Sequence, residues 1–278
     1  MTADTVDHLL AEGERTLART AWSGAARLDA QLLLAWVLAR SRAQLLADAQ
    51  APAAEAQAAA YRRLLARRAT GEPLAYLIGR REFWSLELAV TPAVLIPRPE
   101  TEILVERALA LGPAAARVAD LGTGSGAIAL AIARERPAWR VVATDISAPA
   151  LAVARANAAA LGLREVEFLE GSWFEPLGGE RFELIVSNPP YVAAGDPALE
   201  ALGFEPALAL TPGADGLAAL RLLARGAAAH LARGGWLLLE HGATQGEALR
   251  RELVAAGFTH VRSHRDLAAH ERMTEGQR

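Results

Sequence analysis

No cysteine occurs among the 278 residues. Disulfides, thiolate metal sites and cysteine nucleophiles are therefore excluded, and a cytoplasmic address is compatible. No run of about 18 apolar residues is present, so no membrane-spanning helix is expected. The N-terminal stretch is acidic and lacks a hydrophobic signal core. A basic excess is also missing: 29 Lys and Arg face 32 Asp and Glu, for a net charge of −3. That balance argues against gripping bare DNA or RNA along a track, which needs many cations against phosphates. What is abundant is apolar surface, with 52% hydrophobic against 22% charged residues. The length suits one large domain or two ordinary ones, and the Ala and Leu content favours helix.

Residues 4–70 read as all-helical. Asp4 or Thr5 can cap a first helix carrying Leu9, Leu10 and Leu17. Residues 25–39 place Leu28, Leu32, Leu33, Trp36 and Val37 on a helical stripe. A third short helix covers 43–49, and Pro52 suits the first turn of a fourth, ending near Arg68 before Gly71-Glu72-Pro73. Arg62, Arg63, Arg67 and Arg68 on that helix read first as a solvated face. Residues 81–97 change period. Phe83, Leu86, Leu88 and Val90 alternate, Thr91-Pro92 marks a turn, and Val94-Leu95-Ile96 follows, which predicts a β-hairpin. Arg98-Pro99-Glu100-Thr101-Glu102 then opens a helix, with proline and glutamates suited to its first turn. From 116 onward strands are expected at 117–121, 140–145, 165–170, 182–187, 235–240 and 258–263. Helices are expected at 126–135, 148–161, 214–232 and 244–256, with Gly234-Gly235 ending the step before the fifth strand. This alternation predicts an α/β unit with a mostly parallel sheet. Three parts result: a helical N-terminal domain at 1–75, a hairpin linker at 76–98 and an α/β domain at 99–278.

Asp120-Leu121-Gly122-Thr123-Gly124-Ser125-Gly126 ends one strand and begins a helix. Glycines at this junction let the chain turn sharply and approach a ligand closely. The bland alternative is a tight turn that binds nothing. Asp120 can support the loop or meet an amino-acid end of a ligand. Asp145 ends the next strand, where a carboxylate can accept from two ribose hydroxyls, and it can equally cap the helix after Ser147. Both S-adenosylmethionine (SAM) and a nicotinamide dinucleotide fit this pattern. Trp173, after the third strand, can pack against adenine or plug the core.

The sharpest motif is Asn188-Pro189-Pro190-Tyr191, at the end of the strand over 182–187. A carboxamide or exocyclic amine is a poor nucleophile because its lone pair is delocalised. Two acceptors, the Asn188 side-chain oxygen and the Pro189 carbonyl, can grip its two N–H groups and aim the lone pair at a methyl donor. The prolines stiffen the loop beforehand, and Tyr191 can lie flat against a planar group. Asn188, Pro189 and Tyr191 are therefore the catalytic candidates. The motif and the glycine loop together point to SAM-dependent methylation of a planar nitrogen. A lone Asn-Pro turn would imply none of this.

These residues, with Gly71-Glu72-Pro73-Leu74-Ala75-Tyr76, Arg81-Glu82-Phe83-Trp84 and Leu95-Ile96-Pro97-Arg98-Pro99-Glu100-Thr101-Glu102, give the chain its family likeness. So do Phe204-Glu205-Pro206, Gly213-Ala214-Asp215-Gly216-Leu217 and Leu239-Glu240-His241-Gly242. Over essentially its full length the sequence resembles the HemK-type protein-(glutamine-N5) methyltransferases. The resemblance implies a Rossmann-like SAM-dependent methyltransferase domain behind a helical domain that helps recognise the substrate. It implies that Gly122, Thr123, Gly124, Ser125, Gly126, Asp145, Trp173 and Asn188 contact SAM. It further implies that Asn188, Pro189, Pro190 and Tyr191 hold the glutamine of the Gly-Gly-Gln loop of class 1 peptide chain release factors. The sequence departs from the pattern at Ser172, where relatives often carry an acidic residue, and in the less polar loop over 195–203.

Other residues invite chemistry without supporting it. His241 has no nucleophile to serve, and a capping or packing role is expected. His260, His264 and His270 lack metal-ligand spacing and are expected at the surface, so no metal site is expected. Ser125 is not a nucleophile elbow, for want of acid and histidine partners. The rival functions are an adenine-N6 DNA or guanine-N2 RNA methyltransferase, a nicotinamide-dependent oxidoreductase, which leaves residues 188–191 unexplained, and a non-catalytic SAM-binding partner of translation factors. Neither stable nucleic-acid binding nor membrane association is expected.

Overall fold

The computed structural model describes residues 4–20 and 23–278. Part of the N-terminal stretch read for a signal core, residues 1–3, lies outside them. The chain divides into two compact units, with the boundary between Gly79 and Arg80.

The first unit is helical: α1 (Val6–Ala18), α2 (Ala26–Leu38), α3 (Arg42–Ala47), α4 (Glu55–Ala69) and α5 (Leu74–Ile78). Thr5 caps α1, its hydroxyl oxygen accepting from the His8 N–H. The fourth helix starts at Glu55, later than Pro52, because Pro52 forms an isolated bridge with Thr5. Leu9, Leu17, Leu33, Leu34, Leu45, Tyr61 and Leu65 form the core. On α2 the buried stripe is Ala26, Ala30, Leu33 and Leu34, which rotates the expected face and leaves Leu28 and Trp36 exposed. The arginines of α4 are largely spent on internal pairs: Arg62 with Asp4 and Glu12, Arg67 with Glu72, and Arg68 with Asp29.

The second unit opens with the hairpin β1 (Arg80–Phe83) and β2 (Leu86–Ala89). Its turn is Trp84-Ser85, not Thr91-Pro92. Both residues take left-handed φ (50° and 57°), as a two-residue hairpin turn requires. Tertiary bonds hold that strained pair: the Trp84 N–H donates to Glu102 and its indole N–H to Glu135. Phe83, Leu86 and Leu88 are buried in the core of this unit, so the hairpin is part of the unit and residues 76–79 close the helical one. After a 3-10 turn at Pro99–Thr101 come α6 (Glu102–Leu111), β3 (Arg117–Leu121), α7 (Ala127–Glu135), β4 (Arg140–Asp145), α8 (Ala148–Leu161), β5 (Glu167–Glu170) and β6 (Phe182–Ser187). Two short turns of helix, α9 (Ala198–Ala201) and α10 (Ala207–Leu210), precede α11 (Ala218–His230), β7 (Leu231–Glu240), α12 (Gly246–Ala255), β8 (Thr259–Arg265) and β9 (Glu271–Gln277).

The seven-stranded sheet has the order β5-β4-β3-β6-β7-β9-β8, and β9 runs antiparallel to both its neighbours. The five parallel strands are sandwiched, and their side chains alternate between two cores. Val118, Leu184, Val186 and Leu238 face one, and Ala119, Leu121, Ile185, Leu237 and Leu239 the other. Gly234-Gly235 does not end a helix. It lies inside β7, where the register with β6 shifts. Among the described residues no helix is long and apolar enough to cross a membrane.

The strand order reverses at β3, whose neighbours are β4 and β6. In such sheets ligands bind in the crevice outside the strand ends at that switch point. The glycine loop, Asp145 and Asn188 follow or end these three strands.

Candidate active site

The loop after β3 is shaped by β4. The Gly122 and Thr123 N–H groups both donate to the Thr144 carbonyl (2.8 and 2.9 Å), and the Gly124 N–H donates to Asp145 Oδ2 (2.9 Å). Gly122, Gly124 and Gly126 all have left-handed φ (74°, 57° and 84°), which side chains resist. A Cβ on Gly122 would lie 3.3 Å from the Trp173 ring, so that glycine also lets the indole approach.

Asp120 supports the loop from beneath. Its Oδ2 accepts from Thr123 Oγ1 (2.6 Å) and the Ala129 N–H (3.2 Å), and its Oδ1 is buried with no partner among the described residues. Burial pushes its pKa up to about 7, against the opposing effect of those two bonds.

Asp145 ends β4 with both oxygens engaged by backbone, Oδ2 by Gly124 and Oδ1 by the Ser147 N–H (2.9 Å). A carboxylate oxygen has two acceptor positions, so each keeps one for a ribose hydroxyl. Helix capping and ligand binding are thus compatible. The Trp173 carbonyl accepts from Thr144 Oγ1 (3.1 Å). The Trp173 side chain lines the cavity and also packs against the core beside β6 and β7.

The end of β6 is tied to β3 by Ser187, whose buried hydroxyl donates to the Leu121 carbonyl (2.6 Å). Asn188 then projects at the cavity wall, its Nδ2 donating to Thr101 Oγ1 (3.1 Å). The Tyr191 hydroxyl donates to Glu240 Oε1 (3.0 Å), and its carbonyl accepts from Gln245 Nε2 (3.0 Å). Glu240, at the end of β7, is 1% exposed. Burial raises its pKa to about 7, partly offset by the Thr101 and Tyr191 hydroxyls. Burial, with the Glu240 charge, raises that of Tyr191.

A cavity of about 380 Å³ joins these parts. Gly122, Thr123, Gly124, Ser125, Asp145 and Trp173 line it together with Asn188 and Pro190. The rest of the wall is mainly apolar and includes Leu95, Pro97, Ile128, Pro206, Leu208 and Leu222. This is the make-up of a small-molecule site, apolar with a few converging polar groups. The glycine path, the acceptor pair at Asp145 and the flat Trp173 fit a nucleoside carrying an amino-acid tail. Gly126, Pro189 and Tyr191 do not form part of the wall. Gly126 starts α7 against Leu130 and Ala154, Pro189 is buried, and Tyr191 packs against the core under α11 and α12.

Several contributors were not singled out from sequence. Thr101 contacts Asn188. Glu205 receives the Ile96 N–H (3.0 Å) and pairs with Arg98, fastening two loops whose residues Pro97, Arg98 and Pro206 line the cavity. Asn157 on α8 bonds both Ser125 and Ala89. Long sequence separations hid these contacts, although Thr101, Glu205 and Glu240 lie in the segments that carry the family likeness. His241 is buried, Nδ1 at 2.9 Å from the Gly242 carbonyl and Nε2 at 2.8 Å from Thr274 Oγ1, as a packing role requires. His264 is not simply at the surface: it lies 3.1 Å from the buried Glu275 carboxylate.

Comparison with known proteins gives a consistent picture. Residues 8–79 match the PrmC N-terminal domain and residues 99–203 the methyltransferase small domain. A release factor glutamine methyltransferase of Xylella fastidiosa is 55% identical over 255 residues, covering 90% of this chain and 93% of that protein. The enzyme of the same description from Bordetella pertussis is 54% identical over 258 residues, covering 91% and 95%. Among solved structures, a methyltransferase from Pyrococcus furiosus aligns with a TM-score of 0.55 at 17% identity, covering 76% of this chain and 96% of that one, a likeness of fold.

Proposed function

The chain belongs to the release factor glutamine methyltransferase family, and from that premise we propose that it methylates the side-chain nitrogen of a glutamine in peptide chain release factors. The donor is SAM, which when bound supplies an electrophilic methyl group on a sulfonium. Residues 122–125 and Asp145 hold its amino-acid and ribose portions, and Trp173 offers a flat surface to adenine. The observation that carries this reading is that the glycine loop, Asp145 and Asn188 line one cavity.

The chain's own residues then do three things. Asn188 Oδ1 and the Pro189 carbonyl accept the two N–H groups of the glutamine carboxamide, so the nitrogen lone pair is turned toward the donor. The apolar wall around Pro206, Leu208 and Leu222 keeps water from competing as nucleophile. Proximity supplies much of the rate, because the donor is already activated. No strong base is needed before attack, since the nitrogen sheds its extra proton readily once methylated. Tyr191, bonded to Glu240, stiffens the corner that follows Asn188 rather than closing the cavity.

The substrate is the glutamine of the Gly-Gly-Gln loop of class 1 release factors. The helical unit contributes to recognising that protein, and the address is cytoplasmic. The test is mass spectrometry of a release factor incubated with the enzyme and SAM. A 14 Da gain on the loop glutamine (one methyl replacing one hydrogen) is expected. Methyl transfer to adenine or guanine of nucleic acid, with the release factor unmodified, would replace this reading with the nucleic-acid one.

A further inference from the structure

Asn188 must present its oxygen, not its nitrogen, to a carboxamide N–H. The two ends of an asparagine side chain differ little in shape, and rotation about its last torsion exchanges them at little cost. Something outside Asn188 has to choose between them. The structure holds one candidate: Thr101, 4% exposed at the end of the 3-10 turn before α6, whose Oγ1 accepts from Asn188 Nδ2 at 3.1 Å. No other described residue bonds the Asn188 side chain, so Oδ1 is the end left for a ligand.

A threonine hydroxyl can also donate, and if it donated to Asn188 it would select the opposite orientation. In the structure the hydroxyl is on the accepting side: Nδ2 is the end of Asn188 that meets it, and Oδ1 is left without a partner among the described residues at the wall of the cavity.

We propose that Thr101 is a positioning residue that fixes the Asn188 side chain with its oxygen toward the substrate, so that the site selects a carboxamide and rejects a carboxylate. The inference rests on the reading that Asn188 grips the glutamine. A glutamate at the same place would set its oxygens against Asn188 Oδ1. A flipped Asn188 would instead donate to it.

Thr101→Val keeps the shape and removes the hydroxyl, and Thr101→Ser restores the hydroxyl without the methyl. Each is assayed with a release factor as substrate, and a release factor whose loop glutamine is replaced by glutamate serves as inhibitor. For Thr101→Val, kcat is expected to fall about ten- to a hundredfold while SAM affinity by calorimetry stays within about twofold. Thr101→Ser is expected to recover most of kcat. The glutamate-bearing factor is expected to inhibit Thr101→Val about tenfold more tightly than the parent enzyme, which a merely structural defect would not produce. Unchanged kcat in Thr101→Val, failure of Thr101→Ser to recover it, or unchanged inhibition would each overturn the proposal. Asn188→Ala separates the layers. If it is inactive while Thr101→Val is normal, only the positioning role falls; if it too turns over normally, the grip on the carboxamide falls with it.

Discussion

Asn157 holds the glycine loop from behind, its Nδ2 donating to the Ser125 carbonyl at 2.9 Å. The same side chain donates to the Ala89 carbonyl (3.0 Å) and accepts the Ala89 N–H (2.7 Å), so one buried residue joins α8, the hairpin and the cofactor loop. Asn157→Leu preserves bulk and strands all three backbone groups. The expected loss is roughly 2–3 kcal/mol in urea unfolding, because buried groups without partners keep their full desolvation cost. SAM affinity should weaken alongside. Unchanged stability would mean that the three groups find other partners.

Asp145→Asn tests the carboxylate that meets two N–H groups. The variant keeps the shape, but one end of its carboxamide must confront Gly124 or Ser147 with a second donor. SAM affinity measured by calorimetry is expected to fall about ten- to a hundredfold, or roughly 1.4–2.8 kcal/mol. Full affinity would reduce Asp145 to a helix cap.

Asp120 and Glu240 set a pH dependence of stability. Both have folded pKa values raised by burial to about 7, from 3.8 and 4.5. Between those limits the folded protein retains protons that the unfolded chain has released, so stability falls as pH rises from about 4 to about 7. Each group contributes on the order of 3 kcal/mol to that decline. In denaturant unfolding at pH 5 and pH 8, Asp120→Asn and Glu240→Gln should each narrow the difference. A gap equal to that of the parent protein in both variants would count against the two carboxyls as its source.

The Arg98–Glu205 pair should behave as a unit. Glu205 has a side chain only 3% exposed, so Arg98→Ala strands a buried carboxylate and should cost roughly 3 kcal/mol. Adding Glu205→Gln removes the charge, keeps an acceptor for the Ile96 N–H and should recover part of the loss. Costs that simply add in a double-mutant cycle would show that the two side chains are independent.

Much of this architecture was legible from the residues. The apolar strands 117–121, 140–145 and 182–187 announce themselves because both faces of a parallel sheet are buried. Gly122, Gly124 and Asp145 stand out because backbone turns and strand-end carboxylates leave local signatures. β9 was not legible. Its residues are mostly polar, and Glu275 is fully buried there with Arg107 reaching it from distant α6 and Arg262 from the paired strand β8. The Trp84-Ser85 turn was missed for a similar reason, since remote glutamates, not Gly or Asn, hold its dihedrals. Tyr191 was expected against the substrate. Nothing near it in sequence reveals that Glu240, 49 positions later, draws its hydroxyl inward.

The placement of β9 sets the order in which the enzyme becomes whole. Met273 pairs with Glu240, and the Arg272 carbonyl takes the His241 N–H, so the strand end behind the reaction corner is braced by residues made well after the cofactor loop and the corner itself. On a ribosome the cofactor loop can form long before that brace emerges from the exit tunnel. A polypeptide released short of Glu271 would keep every residue proposed to touch the donor, yet lack the beam against which Glu240 stands.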